Sequence, residues 1–135
     1  LVSHAFDAHG NVPIEVYKKL ILEKLEMNEG MIVENIVAQM LVASGHRLYF
    51  YSNPDREKKE NRMEIDFLIA KSKLTNRHNI SPIEVKSGKR YALTSLKKCI
   101  QKYHDYLATP YVTHTDDVML SDGIVYIPLY MVPLL

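Results

Sequence analysis

At 135 residues the chain is long enough for one domain but not for two. Its composition, 47% hydrophobic and 24% charged, is that of an ordinary globular protein; the absence of any apolar run of roughly 18 residues excludes a membrane span, and a single cysteine excludes an internal disulfide or a Cys-rich zinc site. The formal net charge of +1 hides two opposed blocks, because residues 71–103 have nine basic side chains against one acidic, whereas the remainder has 8 basic and 15 acidic.

The first 29 residues are expected to form a linker and an amphipathic helix, separate from a domain over residues 30–135. Pro13 suits the first turn of that helix, and apolar residues follow it at helical spacing. The start of the chain lacks Met and also lacks the basic and apolar regions of a signal peptide. We therefore expect a cytoplasmic protein and a chain that is part of a longer one.

A second helix is predicted over residues 31–44, closed by Gly45 as its C-terminal cap. The segment is apolar almost all round, which predicts a buried helix. Glu34 falls on the same helical face as Val37 and Leu41, so its carboxylate is expected to be mostly out of water and to need a partner.

Three strands are predicted after this helix. Residues 46–52 are rich in aromatic side chains, whereas residues 63–70 and 80–86 alternate between apolar and polar. A polar connection, residues 53–62, joins the first two strands, and an exposed basic hairpin, residues 71–79, joins the last two. One face of the middle strand is predicted to consist of Met63, Ile65, Phe67 and Ile69.

The last third of the chain returns to a helix and then to strands. Residues 91–107 have an apolar stripe at helical spacing, and residues 111–112 mark a short strand. A turn at residues 122–123 precedes a hydrophobic strand over residues 124–132, which Pro128 interrupts. The order α-α-β-β-β-α-β-β predicts an α/β fold, in which a mixed central sheet is flanked by helices.

Acidic residues on the two neighbouring strands form the clearest candidate site. The short hairpin makes these strands antiparallel neighbours, so Asp66 and Glu84 are expected to converge. Their charges repel unless a cation compensates them; Lys86 would supply one positive charge and Mg²⁺ or Mn²⁺ the rest. Glu34 is a candidate third acid. The alternative is structural: Asp66 and Glu84 on a solvated sheet face, and Glu34 as a buried acid paired with Lys86 or a backbone donor.

This set of residues resembles a known enzyme superfamily. Glu34 in GMIVENIVAQ, Asp66 in EIDFLI and Glu84 to Lys86 in PIEVKSG resemble the pattern of the PD-(D/E)XK nucleases. The ordered set, including the strand DGIVYIPLY, is similar to a domain of unknown function found at the C-terminus of many bacterial and archaeal AAA-type ATPases. The similarity extends over roughly residues 29–130.

The resemblance implies a restriction-endonuclease-like αβββαβ core with an extra N-terminal helix. It also implies a metal centre at Asp66, Glu84 and Lys86, with Glu34 as an added ligand or orienting acid. Ile65 precedes Asp66 where the superfamily pattern has Pro, a departure that other members share. The ATPase domain is expected in cis, in a part of the protein missing from this chain, because the chain has no phosphate-binding loop.

Basic residues beside the proposed centre are candidates for contact with the phosphate backbone of DNA. They are Lys71, Lys73, Arg77, Lys89 and Arg90. The first hypothesis is therefore a metal-dependent, nuclease-like domain that cuts or binds DNA. The second is a catalytically silent DNA- or partner-binding regulatory module of the ATPase. A third is a homo-oligomer in which the apolar C-terminal segment forms an interface at a sheet edge.

Overall fold

The computed structural model describes residues 29–71 and 79–135. In chain order these residues form α1 (Glu29–Ala43), β1 (Tyr49–Asn53), β2 (Met63–Ala70), β3 (Ile80–Val85), α2 (Thr94–Tyr103), β4 (Tyr111–His114), β5 (Met119–Ser121), β6 (Ile124–Pro128) and a C-terminal 3₁₀ helix (Leu129–Leu134). The amphipathic helix predicted after Pro13 and the tip of the basic hairpin, residues 72–78, lie outside the described residues.

The six strands form one mixed sheet in the order β1-β2-β3-β4-β6-β5. Strands β1, β2 and β3 are antiparallel neighbours, because short connections join them. The longer connection through α2 returns the chain so that β4 runs parallel to β3, and β6 runs parallel to β4. The predicted α/β class, with a mixed sheet and helices packed on it, is confirmed.

A β-bulge in β2 divides the apolar face that the sequence predicts for this strand. Tyr49 pairs with Leu68 and Tyr51 with Ile65, so two residues lie between the paired positions of β2 where one lies between those of β1. The residues expected on one face therefore join two different cores: Met63 and Ile65 pack in one, Phe67 and Ile69 in the other. The prediction of a single apolar face was wrong, because alternation in sequence does not reveal a bulge.

The two cores are built around different helices. The first includes residues of α1, the sheet and the 3₁₀ helix: Val37, Leu41, Phe67, Ile69, Ile83, Ile127 and Val132. The second includes residues of the sheet and α2: Met63, Ile65, Leu96, Cys99, Val112, Ile124 and Tyr126. The single cysteine thus packs as a small hydrophobic residue, and its burial raises the pKa of the thiol.

Helix α1 ends in the predicted glycine cap. The Gly45 N–H donates to the Val42 carbonyl at 3.0 Å and the His46 N–H donates to the Leu41 carbonyl at 3.0 Å, with Gly45 in the left-handed region at φ +91°. Burial on all sides, however, was a wrong expectation for this helix. Val42 is 58% exposed, because the described partners of α1, chiefly the 3₁₀ helix and β3, cover only part of its surface.

The C-terminal segment differs from its prediction. The expected strand over residues 124–132 ends at Pro128 and continues as the 3₁₀ helix. The predicted turn is confirmed: Asp122 and Gly123, both with positive φ, join β6 to β5, a three-residue strand that the sequence did not indicate. Because β6 lies between β4 and β5, it is not the sheet edge that the homo-oligomer hypothesis assumed.

Other element ends shift by a few residues. The strand expected over residues 46–52 begins at Tyr49, the helix expected over residues 91–107 spans Thr94–Tyr103, and the short strand at residues 111–112 extends to His114. No helix of the described residues is both long enough and apolar enough to cross a membrane.

Candidate functional site

The candidate site lies where β2 and β3 stop pairing. Their antiparallel register runs from Ala70 opposite Ile80 to Phe67 opposite Ile83. Asp66 and Glu84 are the next residues on the two strands. On its other edge β3 pairs with β4, from Ile83 opposite Tyr111 to Val85 opposite Thr113. The sequence prediction that these two strands are antiparallel neighbours is confirmed.

Asp66 occupies the gap that opens between the strands. Its Oδ2 accepts a hydrogen bond from the Val85 backbone N–H at 2.7 Å, which supplies a partner that the strand pairing no longer provides. Burial raises the pKa of Asp66, and this effect outweighs the lowering by the Val85 N–H and by the nearby Lys86 ammonium. The solvated sheet face considered as an alternative therefore does not describe Asp66, which is only partly exposed.

Glu84 is buried, with only 7% of its surface exposed. Its Oε1 lies 3.0 Å from the Nζ of Lys86, in a part-buried salt bridge. Its Oε2 is buried and has no hydrogen-bond partner among the described residues. Burial and the charge of Asp66 raise the pKa of Glu84 to about 7, although Lys86 acts in the opposite direction. One ammonium group thus only partly compensates this carboxylate.

Glu34 approaches the same place from α1. After burial, an interaction with the Asp66 carboxyl group raises the pKa of Glu34 further, and the same interaction lowers the pKa of Asp66. Burial is the largest cause that raises the pKa of Glu34, to about 7, and the charges of Asp66, Glu64 and Glu84 add to it. The alternative pairing of Glu34 with Lys86 is not the arrangement observed, because Lys86 bonds Glu84.

The site therefore brings together three carboxyl groups and one ammonium group. Carboxylate oxygens are the donors that hard divalent cations prefer, and the unpartnered Oε2 of Glu84 is a buried acceptor of that kind. Asp66 and Glu84 thus have the donor chemistry that Mg²⁺ or Mn²⁺ requires. Within residues 29–71 and 79–135, no group of three or more His, Cys, Asp or Glu side chains is arranged to hold a metal ion.

The predicted basic residues are distributed unevenly around these acids. Lys89 and Arg90 are exposed and lie in the connection that follows Lys86. Lys71 lies at the opposite end of β2 from the acids; its Nζ donates to the Leu135 carbonyl at 3.2 Å. Lys73 and Arg77 lie outside the described residues. For all five of these basic residues, contact with nucleic acid stays a prediction.

Sequence reasoning missed a buried histidine near Lys86. His114, at the end of β4, donates from Nε2 to the Asp117 carbonyl at 2.8 Å, so its Nδ1 is left to accept from the Tyr91 hydroxyl at 3.2 Å. This bond ties the connection after Lys86 to β4. A lone histidine with no neighbouring ligand residue gave no signal of this role in the sequence.

Comparison with known protein families gives one result. Residues 29–132 match the family described as domain of unknown function DUF4143. The match extends over more than half of the chain, so the protein belongs to this family. No curated protein and no solved structure matches the chain.

Proposed function

We propose that the chain is a divalent-metal-dependent, nuclease-like domain of the PD-(D/E)XK type that acts on DNA. The order α1-β1-β2-β3-α2-β4 is the αβββαβ order that such a restriction-endonuclease-like core requires. The antiparallel β1-β2-β3 unit, followed by a helix and a parallel β4, agrees with that proposal. The membership of DUF4143 is compatible with it and assigns no activity.

One observation supports the proposal most strongly: one buried acid and two part-buried acids converge where β2 and β3 separate. Asp66 bonds the backbone of β3, Glu84 bonds Lys86, and Glu34 bonds Asp66. Raised pKa values from burial plus a specific charge partner are common at functional sites. Burial first, and then negative charge that one lysine does not balance, raises the pKa values of Glu34 and Glu84 to about 7.

Asp66 and Glu84 would hold Mg²⁺ or Mn²⁺, with Glu34 as an added ligand once it loses its proton. When bound, such an ion lowers the pKa of water and stabilises charge on a phosphoryl oxygen. The Lys86 ammonium would then orient the attacking water or stabilise the charged transition state. Burial of Glu84 excludes water from one side of the site and so strengthens these charge interactions.

The partners proposed from the resemblance are DNA, contacted through its phosphate backbone, and an AAA-type ATPase domain in cis. Lys89 and Arg90 are exposed next to Lys86 and would contribute to backbone contacts. No base-reading motif accompanies them, so recognition would rest on DNA shape or on phosphate.

A second function, a catalytically silent binding module, is favoured by a different observation. The described residues hold no arrangement of three metal-ligating side chains, and the Lys86 ammonium is engaged by Glu84. Such a domain would dock on DNA or on a partner, and the acids would serve only to stabilise the gap between β2 and β3.

A cleavage assay separates the two functions. Duplex, single-stranded and branched DNA are incubated with the full chain in Mg²⁺, Mn²⁺ or EDTA. We expect metal-dependent cutting that falls by on the order of 100-fold in Asp66→Asn and Lys86→Ala. Asp105→Asn is the matched control, because Asp105 is an exposed acid far in sequence from Asp66 and Glu84, and its ion-pair partner among the described residues is His104. Undiminished cutting by Asp66→Asn, or none by the parent chain, would contradict the nuclease proposal.

A further inference from the structure

A groove lined by basic side chains runs beside the candidate site. One cavity is lined by Arg56, Arg62 and Glu64, among others, and a second, of about 350 Å³, shares Arg62 and Glu64 with it. A third, of about 600 Å³, shares Lys98 with the second. The three cavities are therefore neighbours along one surface. The basic side chains that line this basic groove are Arg56, Lys59, Arg62, Lys97 and Lys98.

The connection between β1 and β2 contributes basic side chains to the groove and keeps its acidic side chains outside it. This connection contains acids as well as bases, yet Asp55, Glu57 and Glu60 do not line the groove, and Glu64 is the one acid among its described lining residues. Asp55 faces its own turn, where it accepts hydrogen bonds from the backbone N–H groups of Glu57 and Lys58 at 3.0 Å each. The groove is thus strongly basic although the segment is almost neutral.

The groove is held in shape by bonds between the connection and α2. Lys98 Nζ donates to the Lys59 carbonyl at 2.9 Å and to the Arg62 carbonyl at 3.2 Å. Ser95 Oγ accepts from the Glu64 backbone N–H at 3.2 Å. Among the described residues, none of the five basic side chains of the groove forms a salt bridge with a carboxylate. Within this part of the chain their positive charge is therefore not held in salt bridges, although Arg62 interacts at longer range with Asp55.

The groove reaches the acidic site through Glu64. This residue lies two positions before Asp66 on β2, and its charge raises the pKa values of both Glu34 and Asp66. A bound chain that follows the groove would therefore pass next to the carboxyl groups proposed to hold the metal.

We propose that the basic groove binds the phosphodiester backbone of a nucleic-acid strand and leads it to the acidic site, an inference that rests on the proposed function. The five positive charges are spread over three neighbouring cavities instead of converging on one point, an arrangement that suits a chain of phosphates better than a single anion. Tyr91, which is partly exposed, lines the third cavity and offers aromatic surface to unpaired bases.

The test is the affinity of the full chain for a fluorescein-labelled single-stranded oligothymidylate, measured by anisotropy in EDTA at several salt concentrations. The double variant Arg62→Gln/Lys97→Gln removes two groove charges. The matched control is Lys58→Gln/Lys102→Gln, which removes two exposed charges from the same connection and the same helix but outside the groove. The Lys98 side chain is left intact, because its ammonium group bonds the backbone.

We expect the groove variant to bind about tenfold more weakly, with a salt slope reduced by about 1.4, and the control to stay within about twofold of the parent chain. The single variants Arg62→Gln and Lys97→Gln should each lose part of the affinity, which guards against misfolding of the double variant. Equal weakening of groove variant and control, or no binding by the parent chain, would overturn the inference. EDTA prevents metal-dependent cutting, so this binding assay is independent of the cleavage assay. A parent chain that binds through the groove but cuts no DNA in Mg²⁺ or Mn²⁺ would contradict the proposed function alone.

Discussion

At the scale of single residues, the carboxyl groups are more numerous than the charges that balance them. Glu84 has one oxygen bound to Lys86 and another buried without a partner in the described residues, and Asp66 relies on a backbone N–H. Leaving a buried acceptor unpaired costs roughly 1–3 kcal/mol in general. We therefore expect this site to bind a ligand that pairs with the buried Glu84 oxygen.

The first residue-scale prediction concerns the pH dependence of stability. Glu34 and Glu84 have pKa values raised from 4.5 to about 7, so their stabilising contribution is fully present below pH 4.5 and is lost as the pH rises through about 7. The free energy of unfolding in EDTA, from urea titration, should therefore fall by about 1–3 kcal/mol between about pH 5 and about pH 8.

Two variants sharpen this measurement. Glu84→Gln removes the buried charge and should flatten the decline, whereas Glu57→Gln, which alters an exposed acid of the β1–β2 connection, should leave it unchanged. A free energy of unfolding that rises over the same pH range would show that burial does not control these two carboxyl groups.

Much of the candidate site could be predicted from sequence, because its residues lie in local patterns. The alternation around Asp66 and the short separation from Glu84 place both acids on adjacent antiparallel strands, as observed. The hydrogen bond between Glu34 and Asp66 could not be predicted with the same certainty, because the packing of α1 against the sheet decides it. The role of His114 depends on Tyr91 and Asp117, which meet only in the folded chain.

At the scale of elements, the bulge in β2 is the feature that alternation could not reveal. The bulge moves Phe67 and Ile69 into the core of α1, while Ile65 stays in the core of α2. Its position next to Asp66 also agrees with the use of bulges to redirect side chains near sites. Strand β5 was missed for another reason: three residues are too few for a periodic pattern.

The end of α1 gives an element-scale prediction. Gly45 has φ +91°, and a Cβ placed there would meet nothing within 4 Å, so only backbone strain opposes a side chain. Gly45→Ala should therefore lower the free energy of unfolding by about 1 kcal/mol. Gly88→Ala is the control, because Gly88 has no positive φ and its Cβ would lie at an ordinary 3.6 Å from the Arg90 carbonyl oxygen. Equal effects of the two substitutions in urea unfolding would contradict the assigned cap.

At the scale of the whole molecule, the fold rearranges the charge blocks of the sequence. The basic block over residues 71–103 provides Lys97 and Lys98 to the groove, but Arg56, Lys59 and Arg62 come from outside it. Lys71, inside the block, lies at the far end of β2 and contacts the C-terminal residue. Reading charge along the chain therefore indicates that a basic surface exists, while the sheet order determines which residues form it.

The charge at the acidic site is also expected to respond to a divalent cation. Because Glu34 and Glu84 must lose protons before they can act as ligands, affinity for a divalent ion should increase as the pH rises through about 7. The acids come from α1, β2 and β3, so binding would also join three elements and oppose the loss of stability described above.

The most direct test of the central claim is a Mn²⁺ titration of the full chain at about pH 8, with the free ion followed by electron paramagnetic resonance. We expect about one ion per chain, bound through Asp66 and Glu84, with binding lost in Asp66→Asn and retained in Asp105→Asn. Equal Mn²⁺ binding by Asp66→Asn and the parent chain, or no binding by the parent chain, would contradict the claim that these acids form a metal site.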